Sequence, residues 1–376
     1  MSLKDKYSIV GAATTKFGKV PGVSALAITV EAAQLAMDDA GLKKQDVDAV
    51  LCEYPPSGFQ SLWAHKVSEA LGVQPKIAAT IDQAGATDIG LVQYAMTAIE
   101  AGLIETAVCA YGDNPLSGPP GTYSRARGSD VAYGTFDAPS GYAMIAQRHM
   151  IEFGTTSDQF GHVAVSTRSW ASKNPNAHKR DPLTIADHQA SRYMAKPLHL
   201  LDCCLVSDGG AAVVVTSAER AKDLKKKPVN IMGVGQHHIA WDLPQRPTLT
   251  TSGAKVSGEM AFNMEEITPA DVDVCELYDC FTIVPIITLE DYGFCEKGEG
   301  GAFVENGTTG PGGAIPMNTS GGLLSESGMA GMQPIVEAVR QLRGEGEDRP
   351  VDDPHIALVS GQGGIMHSHA TMILRN

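Results

Sequence analysis

Four ionisable side chains fall in two short motifs of this 376-residue sequence and could together transfer protons. Tyr278 and Asp279 stand in the motif ELYDCFT, and His367 and His369 stand in SGQGGIMHSHATMIL. A phenol, a carboxyl and an imidazole can all act in general acid–base catalysis. One residue separates the two histidines on a predicted strand, so both side chains are expected to face the same way.

The roles of these residues divide between chemistry and structure. Tyr278 is the first candidate for proton transfer, either with its pKa lowered from about 10 or as a neutral hydrogen-bond donor. The alternative is that it fills space at the end of a strand. The histidines could likewise be polar fillers, and Asp279 fits the orientation of a neighbour or a turn better than the role of a base. No C-x-x-C pair or H-E-x-x-H helix is present, so no metal site is predicted.

Composition excludes several classes of protein. The formal net charge of −14 argues against nucleic-acid binding, which needs an excess of Lys and Arg. Hydrophobic residues at 43% and charged ones at 19% are typical of a globular fold. No apolar run is long enough for a membrane span and no signal peptide is recognisable, which favours a cytoplasmic protein. The number of cysteines, seven, is odd, and four of them lie in apolar stretches as free thiols would: Cys52, Cys109, Cys275 and Cys280.

Strands and helices alternate along the chain, which is typical of an α/β protein. A strand is predicted from Tyr7 to Ala12, followed by a helix that Ser24 can cap at its start and Gly41 at its end. A buried strand is predicted from Val47 to Cys52.

An internal similarity indicates two halves of one topology. The stretch 46–54, DVDAVLCEY, returns as DVDVCELYD at 271–279, and two further units follow in the same order. We therefore predict an N-terminal half over 1–225 and a C-terminal half over 226–376. The first half contains a long loop insertion over 114–200, and such insertions are often lids or binding surfaces.

Six segments together resemble the thiolase superfamily, and within it the branch similar to the thiolase domain of sterol carrier protein X. They are ATDIGLVQYAMTAIEAG (86–102), STRSWASKNPNAHKRDP (166–182), DCCLVSDGGAAVVV (202–215), ELYDCFT (276–282), NTSGGLLSESG (318–328) and SGQGGIMHSHATMIL (360–374). The resemblance covers essentially the whole chain. It implies a five-layered αβαβα fold of two βαβαβαββ halves, usually a homodimer, with coenzyme A entering as part of the substrate and no other cofactor.

The chain departs from the thiolase pattern where covalent catalysis needs specific side chains. Gly85 stands at the position of the nucleophilic cysteine. Ser327-Gly328-Met329 matches the family's Gly-His-Pro motif without its histidine, and Val359-Ser360 stands where the second cysteine falls. A covalent acyl-cysteine mechanism is therefore not expected.

Members that lack these cysteines resemble aldolases that cleave steroid side chains with a small zinc-ribbon/OB-fold (DUF35-type) partner. The resemblance implies retro-aldol cleavage of a β-hydroxyacyl-CoA, derived from a steroid, aromatic or branched acid. Those aldolases place a tyrosine in the motif of Tyr278, and a second one at the position of Gly328, which this chain lacks. Two alternatives stay open: a thiolase-type acyltransferase acting in a hetero-complex, and a non-catalytic scaffold subunit.

The substrate-binding residues implied by the resemblance are mostly backbone positions. Glycines at the turn before the helix that starts near Ala86, and near the C-terminus, let the main chain approach the thioester. One asparagine binds the thioester oxygen through water. These candidates are Gly85, Asn318, Gly328, Gly363 and Gly364. Because the protein is acidic, the phosphates of coenzyme A need its basic loops. These candidates are Arg125, Arg127, Lys173, Lys179 and Arg180.

Overall fold

The computed structural model describes residues 4–58, 60–118, 131, 132, 134, 137–264, 266–329 and 331–376. The strands are Tyr7–Thr14 (β1), Ala49–Glu53 (β2), Ile77–Ile81 (β3), Thr106–Asp113 (β4), Tyr193–Ala195 (β5), Leu198–His199 (β6), Gly209–Ser217 (β7), Val229–His238 (β8), Val274–Glu276 (β9), Ile356–Gly363 (β10) and Ser368–Arg375 (β11). The helices are Ala25–Ala40 (α1), Trp63–Leu71 (α2), Thr87–Glu100 (α3), Ala138–Phe153 (α4), Ser157–Ala171 (α5), Ile185–Ala190 (α6), Ala218–Ala221 (α7), Ala254–Asn263 (α8), Ile283–Tyr292 (α9), Gly300–Phe303 (α10) and Met332–Arg343 (α11).

Local sequence signals set the first helix. The Ser24 side chain accepts a hydrogen bond from the Ala27 N–H, which satisfies one of the unpaired donors at the start of α1. Gly41 ends the helix in the left-handed conformation, with φ of 73°. Both caps are as predicted from the sequence, and α1 buries a face of small and apolar residues against β1, β4 and β7.

In the described part of the chain, nine strands form one mixed sheet in the order β3-β2-β4-β7-β1-β8-β11-β10-β9. The first five belong to the N-terminal half and the last four to the C-terminal half. They join where β1 pairs with β8 in an antiparallel register that includes Ser8 with Asn230. In the second half, β9 corresponds to β2. At the edge where the counterpart of β3 would lie, β9 has a single parallel bridge from Cys275 to Met317. The two halves therefore share one strand order.

The two halves of the sheet form two separate layers, with helices on their outer faces and between them, which makes five layers in all. α1 and α2 pack on the strands of the first half, and α8 and α9 lie with the second half. Between the halves lie α3 and α11, which contact strands of both. One apolar cluster accordingly contains Leu51, Ile89, Val213, Val336 and Met372, all of them almost fully buried. This layering, αβαβα, is the fold class predicted from the sequence.

The insertion predicted as a loop is largely helical in its described part. It contains α4, α5 and α6, each of which begins at a capping side chain: Asp137, Thr156 and Thr184. The prediction of a loop is therefore wrong over α4, α5 and α6, where the capping side chains start helices despite the Gly- and Pro-rich composition at the start of the segment. Among the described residues, none of the helices has the length and apolar character needed to cross a membrane.

Candidate active site

A cavity of about 850 Å³ lies among the ends of strands from both halves and the helices of the insertion. Most of the side chains that line it are apolar. The polar and ionisable residues that line it are Glu53, Tyr54, Asp82, Tyr111, Asp137, Tyr142, Arg168, Lys179, Cys203, Cys204, Tyr278, Cys280, Ser325, Gln362 and His367. A large apolar cavity with a few converging polar groups is typical of a binding site for a small molecule.

Gly85 lies in the short turn Ala84–Ala86, which leads into α3 and is called the elbow below. A Cβ atom at this position would lie 2.3 Å from the Cζ of Tyr278 and 2.4 Å from the main-chain oxygen of Gln362. The aromatic ring of Tyr278 therefore occupies the space into which a side chain at residue 85 would project. Glycine at residue 85 and the position of the Tyr278 ring therefore depend on each other, because a cysteine side chain and this ring would compete for the same space.

Tyr278 follows β9 and lines the cavity, where its side chain is half-buried. Its backbone N–H donates to the Ser360 Oγ at 3.0 Å, which connects the segment after β9 to β10. The ring rests on the elbow at Gly85, so the phenol is held by backbone on one side. The sequence placed Tyr278 first among the candidates, and its location in the cavity is compatible with the proton-transfer role, which stays a prediction.

Tyr142, on α4, brings a second phenol to the cavity that sequence reasoning did not identify. Its ring stacks on Phe281 with centroids 4.3 Å apart, and its hydroxyl donates to the Gly364 carbonyl at 2.8 Å. The Gln362 amide donates to the same hydroxyl oxygen. Burial raises the pKa of Tyr142, so the phenol is neutral. It stands in the stretch SGYAMIAQRHM, where Asp137 signals the start of a helix but nothing signals that Tyr142 faces a cavity.

Asp279 is fully buried and holds a turn. Its Oδ1 accepts from the Leu323 N–H at 2.7 Å, in the segment that crosses the cavity wall. Burial raises the pKa of Asp279 to about 7, although the Leu323 N–H and the Asn318 amide act in the opposite direction. Asp279 does not line the cavity. This position fits the orienting role that the sequence favoured over that of a base.

Replacing Asp279 by Asn should flatten the pH dependence of stability. With its folded pKa raised from 3.8 to about 7, the wild-type carboxyl contributes stability below pH 4 that is lost as pH rises through 7. Asn retains an oxygen for the Leu323 N–H but does not titrate. Urea unfolding from pH 4 to 8 should show a slope difference of at most ~1.4 kcal/mol per pH unit between the two proteins. Identical slopes would contradict the assignment.

The two histidines do not share one face, contrary to the prediction. His367 lies in the turn before β11 and lines the cavity, near Trp241 with ring centroids 6.4 Å apart. His369 lies within β11 and is buried, with its Nδ1 3.1 Å from the Ser257 Oγ of α8. Burial, and then His237, lower the pKa of His369 to about 3, so its imidazole is neutral. The alternation argument failed because the strand begins only at Ser368.

The candidate glycines fall into two groups. Gly85, Gly328 and Gly364 line the cavity, whereas Gly363 does not. A Cβ at Gly328 would lie 1.5 Å from the Leu205 carbonyl oxygen, so this backbone admits no side chain there. A tyrosine at this position would therefore need the Leu205 carbonyl to move.

Asn318 also lies outside the cavity. Its Oδ1 accepts from the Leu277 N–H at 2.7 Å, and its backbone adopts a positive φ of 53°. These contacts support the segment that precedes Tyr278. Asn318 is therefore seen as a positioning residue, and its predicted contact with the thioester stays untested.

Of the three basic candidates that the structure describes, one lies at the cavity. Lys179 lines it, and its backbone N–H donates to the Ser325 carbonyl at 2.9 Å. Lys173 instead lies over the Trp170 ring, and Arg180 donates to the Ser172 carbonyl. Arg125 and Arg127 lie outside the described residues. A cation that the sequence did not single out, Arg168, also lines the cavity and donates to the Ser325 Oγ at 2.9 Å.

Three cysteines line the cavity without the environment of a nucleophile. Burial raises the pKa of Cys203 and of Cys280, and it raises that of Cys204 to about 12. A nucleophilic cysteine needs a lowered pKa, which a helix N-terminus or a nearby cation provides. The structure therefore offers no activated thiolate among these three residues.

Comparisons with known proteins agree with this geometry. Residues 235–376 match the family model of a thiolase C-terminal domain-like region. A 17-hydroxy-3-oxo-4-pregnene-20-carboxyl-CoA lyase of Mycobacterium tuberculosis is 36% identical in an alignment of 382 positions that covers 96% of this chain and 97% of the relative. An acetyl-CoA acetyltransferase of Methanothermobacter thermautotrophicus is 34% identical over 367 residues, 95% of this chain and 96% of the relative.

A solved structure of an Ltp2-ChsH2(DUF35) aldolase superposes with a TM-score of 0.90 at 35% identity, covering 99% of this chain and 98% of the other. With the relatives above, this similarity over nearly the whole length defines the class. The chain belongs to the thiolase superfamily. The resemblance to its aldolase-type members, predicted from the sequence, is confirmed.

Proposed function

We propose that this protein breaks the bond between the α- and β-carbons of a β-hydroxyacyl-CoA by a retro-aldol reaction. The β-hydroxyl loses its proton, the α–β bond breaks, and the electron pair passes to the thioester enolate. The α-carbon then takes up a proton, so the products are a ketone or aldehyde and a shorter acyl-CoA. No acyl group passes to the protein, so the reaction needs no cysteine.

The observation that carries this proposal is the ring of Tyr278 against Gly85. A thiolase would need a thiolate at this elbow, whereas a retro-aldolase needs a group that exchanges a proton and donors that stabilise oxygen charge. Tyr278 supplies a hydroxyl in the cavity at that point. We assign it the proton exchange, with His367 as the imidazole candidate on the described cavity wall.

The similar proteins support the same class of reaction. One is named as a lyase of a steroid carboxyl-CoA and another as an aldolase. A cavity of about 850 Å³ with mainly apolar walls suits a bulky acyl group of the steroid, aromatic or branched kind. The similarity to the Ltp2-ChsH2(DUF35) aldolase also supports a partner for this chain. In this proposal a DUF35-type protein completes the complex, and two copies of this chain form a homodimer.

Acyl transfer is the second candidate, since an acetyl-CoA acetyltransferase is also 34% identical. It would need a nucleophile other than residue 85, and the cavity cysteines have raised pKa values. A scaffold subunit without activity is the third. The two reactions differ in what they consume, and a scaffold consumes nothing, so the three roles can be separated.

The test is cleavage of a panel of β-hydroxyacyl-CoA and β-ketoacyl-CoA thioesters by the purified protein, with and without a DUF35-type partner. We expect hydroxyacyl substrates to yield a carbonyl product and a shorter acyl-CoA with no requirement for free coenzyme A. Consumption of free coenzyme A with β-keto substrates would mean thiolysis. No cleavage under any condition, including with the partner, would leave the scaffold role.

Replacing Lys179 by Met should raise the KM for the acyl-CoA about tenfold and leave kcat nearly unchanged, because a phosphate contact binds substrate and transition state equally. Lys173→Met is a matched control, since Lys173 is also exposed in the same segment and does not line the described cavity. Steady-state kinetics of the two variants measure the difference. Equal KM values for both would remove Lys179 from the binding site.

A further inference from the structure

Glu53 is a buried carboxyl that lines the cavity and has no role in the reaction described so far. It is the last residue of β2, in register with Ile81, from which the chain reaches Gly85 four residues later. Only 3% of its surface is exposed. Its Oε2 is buried and has no hydrogen-bond partner among the described residues. A polar atom buried without a partner costs folding free energy, so its presence in a cavity wall calls for a ligand.

The other two carboxyls of the described cavity wall are already engaged. Asp82 accepts from the Ala84 N–H at 3.0 Å and from the Tyr54 hydroxyl at 3.2 Å. Asp137 caps α4 by accepting from the Ser140 N–H. Both side chains are also exposed, whereas that of Glu53 is not. Glu53 therefore differs from them in burial and in its unused oxygen.

The surroundings of Glu53 favour its neutral form. Burial, and then the carboxyls of Asp88, Asp82 and Asp113, raise the pKa of Glu53, and no basic group in the described part of the chain opposes them. Asp88, at the start of α3, is itself buried, and burial raises its pKa to about 8. Asp82 follows β3 and Asp113 ends β4, so acidic groups face Glu53 from three neighbouring elements. A protonated carboxyl in such a place is a strong hydrogen-bond donor.

We propose that Glu53 is a second catalytic residue of this site, which acts as a neutral carboxylic acid that donates a hydrogen bond to a substrate oxygen bearing negative charge during cleavage. This inference rests on the proposed retro-aldol function and deepens it. The reaction places charge first on the β-oxygen and then on the thioester oxygen, and a fixed donor in an apolar cavity stabilises such charge well. Glu53 keeps its proton throughout, so the proton balance between the hydroxyl and the α-carbon is unchanged.

Two variants at this position separate donation from proton transfer. Glu53→Gln keeps a neutral donor of similar shape, so its kcat should stay within about tenfold of the wild type. Glu53→Met keeps the volume and loses the donor, so its kcat should fall about a hundredfold while KM changes little. Glu31→Met, an exposed position on α1, is the control for the chemical change itself and should match the wild type.

Two results would overturn the proposal. If Glu53→Gln loses as much activity as Glu53→Met, then Glu53 transfers a proton and does not act as a fixed donor. If both variants keep wild-type kcat, the residue has no catalytic role. A wild type that cleaves no hydroxyacyl-CoA would instead defeat the proposed function itself, so the two failures are distinguishable.

The protonation state can be measured without turnover. The infrared spectrum of the wild type at pH 7 should contain a carbonyl band of a protonated carboxyl that is missing from Glu53→Gln. Both proteins keep the other buried carboxyls, and in this proposal a neutral side chain replaces a neutral one, so the difference spectrum reports mainly on Glu53. A difference spectrum that shows only the bands of an ionised carboxylate would also overturn the proposal.

Discussion

Replacing Tyr278 by Phe should lower kcat for retro-aldol cleavage about a thousandfold, because positioned proton transfer contributes factors of this size. The change removes one hydroxyl and keeps the ring that packs against Gly85. The fold should therefore be retained, with an unchanged unfolding midpoint. KM should change little, since the hydroxyl acts on the reacting atoms and the bulk of the binding surface stays.

Tyr54→Phe is the matched control for this experiment. Tyr54 also lines the cavity and also loses one hydroxyl, which donates to Asp82. Its kcat should stay close to that of the wild type. Equal activity of the wild type and Tyr278→Phe would remove Tyr278 from catalysis and leave it with a packing role alone.

The parts of the fold that could be predicted are those with local signals. Ser24 and Gly41 bound α1 because capping depends on the residue itself and its immediate neighbours. The repeat of DVDAVLCEY as DVDVCELYD predicted a duplicated strand order, and the shared order of the two halves of the sheet agrees with it. Motifs spread over the chain predicted the thiolase superfamily and an aldolase-type reaction. The similarity to known members confirms both predictions.

The parts that could not be predicted depend on tertiary contacts. Glu53 ends an ordinary apolar strand and Tyr142 stands in an ordinary helix, and neither shows in the sequence that it faces a cavity. His369 was placed on the wrong face because the start of β11 is set by a turn after Gly363. Periodicity describes one element at a time, whereas a site is made where several elements meet.

Replacing Gly85 by Cys should abolish retro-aldol cleavage and should not create thiolysis. A Cβ at residue 85 would come within 2.4 Å of both the Tyr278 ring and the main-chain oxygen of Gln362, distances that no real Cβ tolerates. The ring must move, and the hydroxyl of Tyr278 then leaves its place in the cavity. Overpacking of this kind also costs about 1–3 kcal/mol of stability or more, which a lowered unfolding midpoint would show.

Gly310→Ala is the matched control, because Gly310 is also buried and a Cβ there finds its nearest neighbour at 3.6 Å, an ordinary contact. It should keep both activity and stability. Thiolysis of a β-ketoacyl-CoA by Gly85→Cys, dependent on free coenzyme A, would contradict our account of the elbow.

A double variant separates the two contacts at this elbow. Tyr278→Ala removes the ring, so Gly85→Ala should cost less stability in that background than in the wild type. The cost should not vanish, because the main-chain oxygen of Gln362 remains 2.4 Å from the added Cβ. Even a smaller residue at 278 thus leaves a backbone that rejects a cysteine at 85. Recovering the covalent mechanism would require β10 to shift away from the elbow, and the activating histidine would still be missing at Gly328, where the Leu205 carbonyl leaves no room for a side chain.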